Sequence, residues 1–367
     1  MKSTLFDWDD SDDIVVFTLP SDSLGKDRWL ILTDEERSAR EKIRKKSDTN
    51  LGDEELFTVG SPLKTGQNTT LQADILSEES EGYTIENSRI SGTVNPDIWK
   101  RIITPDYINR WNVTKPKEVT FFPYEAVIGE YELIDEGTFK SEYTTTYELL
   151  KDHEEKLLSR KDSRRTWKEL GRPWYSLARV GSPDYFEETK IVSDIVVNEP
   201  HFCIDTNGYL FSTGFIHGIT PHETDPFYLT GLLNTQAIFS YLKPICPPKN
   251  NGYMKIEVEQ LKAAPIFLPE IREELCAKFS RVLDEHGGDY EKLAQLIRSQ
   301  GIEMLVSSSE GDKIMAANML REISKRIIRD YESLSDHDIE QLEGLNNHLS
   351  GIIFELDKEE LDALSQI

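Results

Sequence analysis

The chain has 367 residues, 38% of them hydrophobic and 10% aromatic, which is enough apolar material for two or three domains with real cores. Its formal charge of -25 and isoelectric point near 4.7 set a field that repels polyanions, so non-specific nucleic-acid affinity is disfavoured unless the acids are segregated from a basic face. Three widely spaced cysteines (Cys203, Cys246, Cys276), with no CxxC or Cys/His ligand spacing, argue against disulfides and structural zinc and fit a reducing cytoplasm. Met1–Asp13 is acidic without the apolar segment of a signal peptide, and no run reaches the length of a membrane span.

In chain order, Ile14–Leu19 reads as a strand ended by Pro20, and Trp29–Leu32 as a second short apolar piece. Thr33 with Glu36 forms a capping box, so Asp34–Lys46 is predicted as a helix, acids first and bases last. Leu56–Val59 leads into a polar loop bounded by Gly60 and Gly66. This is no P-loop, because the Gly-Lys-Ser/Thr order is missing; it is either an ordinary hairpin or a close backbone approach to a ligand. Val119–Pro123 and Tyr131–Ile134 are strand candidates, joined across Gly129. Phe139–Arg160 is predicted as one helix, feeding the only strongly basic stretch of the chain. Between Lys156 and Arg179 eight Lys/Arg face two acids, interleaved with Trp167, Trp174 and Tyr175. Cations neutralise phosphates and rings stack or fill grooves, so the pattern suits a nucleic-acid surface. It equally suits a solvated helix face with two core tryptophans. Lys190–Val197 is the strongest strand. Asp205-Thr206-Asn207-Gly208 reads as a β-hairpin turn, and Phe227–Lys243 as a helix stopped by Pro244. From Pro269 the pattern is helical: Ile271–Glu285, Tyr290–Gln300, Asp312–Leu334, Asp336–Leu349 (capped by Ser335 with Asp338) and Glu359–Ser365.

Most enzyme signatures are missing. There is no glycine-rich strand–loop–helix, no nucleophile elbow, no HExxH and no carboxylate–lysine nuclease cluster; His217–Glu223 contains a proline and reads as a surface loop rather than a metal site.

In order and spacing, the motifs resemble the TaqI-like C-terminal specificity domain of adenine-N6 DNA methyltransferases and Type IIG restriction-modification enzymes. Val59–Asn68 resembles the family's "Gly-Ile-x-Thr-Gly-x-Asn" opening, and Phe121–Glu125 its "Tyr-Pro-Tyr-Glu" strand. Tyr147–Arg160 followed by Trp167-x-Glu169-Leu170-x-Arg172-Pro173 resembles its helix, basic turn and Trp motif. Lys190–Val192, Asp205–Gly208, Leu232–Thr235, Gly252-Tyr253, Ala264–Ile266 and Leu349–Leu364 resemble the later landmarks. The departures are the absence of the family's glycine-rich cofactor loop and its Asn-Pro-Pro-Tyr motif. Asn95-Pro96 is followed by Asp97, Lys190 lacks a preceding Lys-Pro, and Ala-Ala-Pro stands at 263–265.

The resemblance implies an α+β fold, with a strand-and-helix N-terminal segment over 1–51, a mixed α/β target-recognition domain over 52–268 and a helical C-terminal region over 269–367. It implies a non-catalytic, cytoplasmic specificity subunit of a restriction-modification or related anti-phage system. Such a subunit would bind double-stranded DNA and direct a separate adenine-N6 methyltransferase that carries S-adenosylmethionine, with a nuclease as a further candidate partner. It would have no cofactor or metal of its own. Phosphate contacts are expected from Arg160, Lys161, Arg164, Arg165 and Lys168. Base contacts are expected from Lys64, Gln67 and Asn68 in the first loop, and from Lys249, Asn250 and Asn251 in the late loop. Thr65, Arg172, Arg179 and Tyr253 are expected at the same DNA-binding surface. Trp167 and Trp174 are expected as core anchors. The competing reading is an acidic regulator that docks on a methyltransferase or nuclease without binding DNA; the basic stretch argues against it.

Overall fold

Thr33 starts the first helix as its side chain anticipates: Glu36 N–H donates to Thr33 Oγ1 at 3.1 Å, and Thr33 N–H to Glu36 Oε2 at 2.6 Å. The helix runs Asp34–Lys46 and buries Ala39 and Ile43. The computed structural model describes residues 32–80, 82–186, 189–212, 214–287, 289–306 and 311–365; the Ile14–Leu19 strand and nearly all of Trp29–Leu32 lie outside them.

A four-stranded antiparallel sheet lies at the centre of the molecule, in the order Phe202–Asp205, Lys190–Asp194, Ile216–Pro221, Phe57–Gly60. Its register aligns Ile204, Ile191, Ile219 and Val59 across one face. That face packs into a core that also holds Leu229, Leu320, Leu345 and Phe354, so one continuous core spans the sheet and the helices beyond residue 268. The opposite face, with Val192 and Cys203, belongs to a second core. Lys190, Ile191, Val192 and Ser193 are accordingly all buried, whichever face they point to. Gly218 lies under the Phe211 ring, where a Cβ would strike the ring.

The second core is built on a six-stranded mixed sheet, ordered Leu210–Phe211, Trp99–Ile103, Glu118–Phe121, Gln72–Glu79, Gly82–Glu86, Ser91–Val94. Aromatic contacts run from Trp99 to Phe121 (5.7 Å), Phe139 (5.5 Å) and Tyr175 (5.0 Å). Asp312–Asp330 packs against Pro226–Leu233, Glu273–Glu285 and Asp336–Phe354; Tyr290–Gln300 packs on Asp336–Phe354, and Lys358–Ser365 on Asp34–Lys46. The α+β fold with a helical C-terminal region is therefore present.

Four expectations are corrected. His217–Glu223, expected as a surface loop, belongs for most of its length to the buried strand Ile216–Pro221, with only His222 and Glu223 beyond it. The predicted Phe139–Arg160 helix is three short helices, Glu136–Glu142, Thr144–Lys151 and Glu154–Leu158, because Tyr143 leaves helical geometry (φ -121°, ψ 43°) and Asp152–His153 form a second break. The Phe227–Lys243 helix divides into Pro226–Leu233 and Gln236–Leu242. Between them the Asn234 side chain turns to accept from Phe202 N–H at 3.0 Å and donate to Phe202 O at 2.8 Å. Asp205–Gly208 is a turn but not a hairpin, since Leu210–Phe211 pairs in parallel with Trp99–Ile103 in the other sheet. The Asp205 carboxylate accepts from the Asn207 and Tyr209 N–H groups at 2.8 Å each, and pairs with Lys190 at 2.5 Å in full burial.

Candidate nucleic-acid interface

Both predicted reading loops leave the same end of the four-stranded sheet. The first follows Gly60. The late loop precedes Met254–Lys255, which pairs with Val196–Val197 just beyond the end of Lys190–Asp194. Between them runs the segment entering Ile216–Pro221: Ser61 Oγ donates to Ser212 O at 3.2 Å, Ile195 N–H to Phe215 O at 2.9 Å, and Ile256 N–H to Ile195 O at 2.8 Å. Two loops almost two hundred residues apart thus form one continuous edge.

In the first loop, Lys64, Gln67 and Asn68 line a recess of about 450 Å³, with Lys64 and Asn68 exposed. Gly66 (φ +81°) closes against Ala178 and Arg160. Thr65 is buried, and its hydroxyl bonds Asn68 Oδ1, so it shapes the loop rather than reading bases. In the late loop, Lys249, Asn250, Asn251 and Tyr253 are all exposed, and Asn251 (φ +59°) and Gly252 (φ +78°) turn the chain.

The basic stretch is a miniature hairpin beside the first loop. Lys161–Asp162 pairs with Arg165–Thr166, and Ser163 (φ +56°) and Arg164 form the turn. Lys161, Arg164, Arg165 and Lys168 are exposed and make no ion pair among the described residues. The other three cations have structural work. Arg160, expected on phosphate, is 5% exposed and donates to Leu157 O (2.8 Å), Thr65 O (3.0 Å), Trp174 O (2.7 Å) and Ser176 O (2.9 Å). Its five fixed donors match a nest of carbonyls, and burial pulls its pKa down to about 10. Arg172 pairs with Asp162 at 2.9 Å, and the Arg160 and Arg172 guanidiniums lie 4.5 and 4.8 Å from the Trp167 ring centre. Arg179 donates to Pro62 O and Ser61 O at 2.7 and 3.2 Å and exchanges backbone bonds with Lys64. Trp167 and Trp174 are buried, as core anchors should be.

Two side chains at this edge escape a sequence reading. Phe215 and Val196 are 56% and 45% exposed, although Val196 lies in an apolar run that reads as core. The only local signal is Gly214 (φ +97°), which turns the chain outward beside Phe215. Asp194, at the strand end, has a pKa pushed up to about 7 by burial and then by Asp106; its Oδ1 has no partner among the described residues and its Oδ2 is 3.7 Å from His201 Nε2. No cluster of three or more metal-ligating side chains occurs among the described residues. Nor is any helix there long and apolar enough to cross a membrane.

Residues 135–266 match the TaqI-like C-terminal specificity domain. The matched span includes the basic hairpin, three strands of the central sheet and the late loop; the first loop precedes it. Among solved structures the chain is similar to the type IIG restriction endonuclease BpuSI, at 10% identity and a TM-score of 0.40, with 89% of this chain and 34% of that one covered. The chain therefore spans about a third of that enzyme's length. No curated protein matches.

Proposed function

We propose that this chain is the DNA sequence-specificity element of a restriction-modification system, binding duplex DNA and directing a separate adenine-N6 methyltransferase. The observation that carries this reading is the edge itself: a hairpin with four cations that no described acid pairs, a polar glycine-bounded loop and an Asn/Lys loop, gathered from distant parts of the sequence. Lys161, Arg164, Arg165 and Lys168 set register on phosphates, which carry affinity without sequence information. Lys64, Gln67, Asn68, Lys249, Asn250 and Asn251 supply the donors and acceptors that distinguish base edges in the major groove, Asn and Gln toward adenine and Lys toward guanine. Tyr253 and Phe215 add apolar surface. The specificity-domain match over 135–266 supports the same assignment.

In this reading the chain performs no catalysis. S-adenosylmethionine belongs on the partner: the glycine-bounded loop here opens onto a four-residue helix from an antiparallel sheet, not onto the parallel strand–loop–helix that cradles such cofactors. Extrusion of the target adenine into the partner's pocket follows recognition.

The test is duplex binding across a salt series, with and without the methyltransferase. Affinity that falls steeply with salt, and whose log–log slope shrinks by about 1.8 in Arg164→Ala/Arg165→Ala at roughly 0.9 per phosphate contact, supports the reading. Absence of DNA binding, with a stable methyltransferase complex still formed, replaces it with the acidic-regulator reading.

A further inference from the structure

The opposite end of the central sheet has a different chemistry. Ile216–Pro221 spans six residues, about 20 Å at roughly 3.3 Å per residue. Beyond its far end opens a groove of about 1180 Å³, lined by Tyr131, Phe186, Pro221 and Leu268, with exposed Glu223 and with Asp225, which pairs with Arg321 at 3.1 Å; no lysine or arginine lines it among the described residues. Beside it projects a two-stranded hairpin, Tyr124–Val127 paired with Glu130–Leu133, whose Ala126 and Tyr131 form part of the groove wall. Glu125, Glu130 and Glu132 are exposed on the other face of this hairpin, one position out of step with Ala126 and Tyr131, and residues 122–133 contain no basic side chain. Its tip is apolar: Val127 is 37% and Ile128 100% exposed, and Leu268 on the groove is 36% exposed.

Ile128 is the telling residue. Val127 pairs with Glu130, leaving Ile128-Gly129 as a two-residue turn with φ +47° and +81°. Such turns favour Asn-Gly, since both central residues need positive φ. A β-branched residue in that region costs about 1–2 kcal/mol, and full exposure of its side chain recovers no burial energy. A turn made only to close the hairpin favours asparagine here, and nothing among the described residues covers the isoleucine.

We infer that the groove and the Ile128 tip form a docking surface for a polypeptide segment with apolar anchors flanked by lysine or arginine. Charge complementarity selects the occupant. The acidic hairpin and rim repel nucleic acid and a second copy of this acidic chain, and attract a basic segment; the anchors fill the groove while Ile128 enters the partner. Because the surface lies at the far end of the sheet from the reading loops, protein and DNA are bound at once. The inference stands apart from the DNA assignment.

The test is panning a random 15-residue peptide display library on the purified full chain. Enriched peptides should combine Leu, Ile, Val or Phe with two or more Lys/Arg. Their binding should weaken about tenfold or more, the loss typical of a hot-spot residue, in Ile128→Asn and in Glu130→Lys/Glu132→Lys, and be unchanged in Arg164→Ala/Arg165→Ala. Ile128→Asn relaxes the turn, so its loss of binding cannot come from misfolding. Failure to enrich, an acidic or purely polar consensus, equal binding to Ile128→Asn, or a self-dimer in sedimentation that Ile128→Asn dissolves would each overturn the inference. Duplex binding by Ile128→Asn should match wild type; if wild type itself binds no DNA, the specificity reading falls while the peptide result still decides this surface.

Discussion

Arg160→Met separates a structural arginine from a phosphate contact. In the wild type the buried guanidinium holds four carbonyl oxygens, from Leu157, Thr65, Trp174 and Ser176, at 2.7–3.0 Å. Methionine keeps the apolar stem and removes every donor. Each bond to a charged group contributes roughly 1.5–3 kcal/mol, but the contributions overlap and the site partly relaxes, so the net loss is set at about 3–5 kcal/mol. Urea denaturation should show that loss. Duplex affinity should also fall, because Thr65 and the first loop lose their tie to the basic hairpin, yet the salt slope should stay as in wild type. Arg164→Ala/Arg165→Ala should do the reverse, changing stability by less than about 0.5 kcal/mol as exposed substitutions do while flattening the slope. A stable Arg160→Met protein whose slope drops by about 0.9, one phosphate contact, would refute the reasoning.

Lys190→Met should destabilise by about 3–5 kcal/mol in urea, because it strands the Asp205 carboxylate in full burial; Lys190→Met/Asp205→Asn should recover part of the loss, since it removes the buried charge and the asparagine oxygen still accepts from one of the two turn amides. Asp194 has a folded pKa of about 7 against an ordinary value of 3.8. The folded state therefore holds a proton that the unfolded state releases, and stability falls as pH rises from about 4 to 7. Asp194→Asn should match wild type near pH 4 and exceed it by about 2–4 kcal/mol at pH 8 in paired denaturation curves, since each pH unit separating the folded from the unfolded pKa is worth roughly 1.4 kcal/mol. Gly218→Ala should cost about 1–3 kcal/mol by driving a methyl into the Phe211 ring, and Phe211→Leu should return part of it, measured as a double-mutant cycle.

Local chemistry was readable wherever a local signal decided the outcome. The Thr33–Glu36 box marks the helix Asp34–Lys46 residue for residue, and Tyr290–Gln300 follows from its apolar spacing alone. The misses share one cause, a side chain recruited by a distant partner. Asn234 breaks a helix to bond Phe202, and Asp205 turns inward to Lys190. Arg160 looks like its neighbours in the basic stretch until Thr65, ninety-five positions earlier, takes its guanidinium. The reading loops were legible as polar glycine-bounded segments. That they share an edge was not, because it depends on the pairing of Val196–Val197 with Met254–Lys255 and on the Ser61–Ser212 bond. Val196 was hidden by composition: an apolar residue within Ile195–Val197 gives no sign that it faces water.

The proposed binding of a polyanion by a chain of charge -25 turns on the placement of its acids. Some are neutralised in place: Glu78 pairs with Arg101 and Lys115, and Glu355 with Lys46 and Lys313. The exposed glutamates of the Tyr124–Leu133 hairpin stand on a separate two-stranded element, and charges there are weakened beyond the roughly 8 Å over which physiological salt screens. At the reading edge itself the balance is reversed. Lys161, Arg164, Arg165 and Lys168 form no ion pair among the described residues, although Lys161 and Arg165 act on the Glu169 carboxylate; Asp162 is held by Arg172, and burial keeps Asp194 largely protonated below pH 7. Whole-chain charge thus governs solubility and the approach from a distance, while binding answers to the few cations within one screening length of the phosphates. An acidic protein with one cationic edge is repelled from DNA in every orientation but one, and that repulsion narrows the ways in which it can bind.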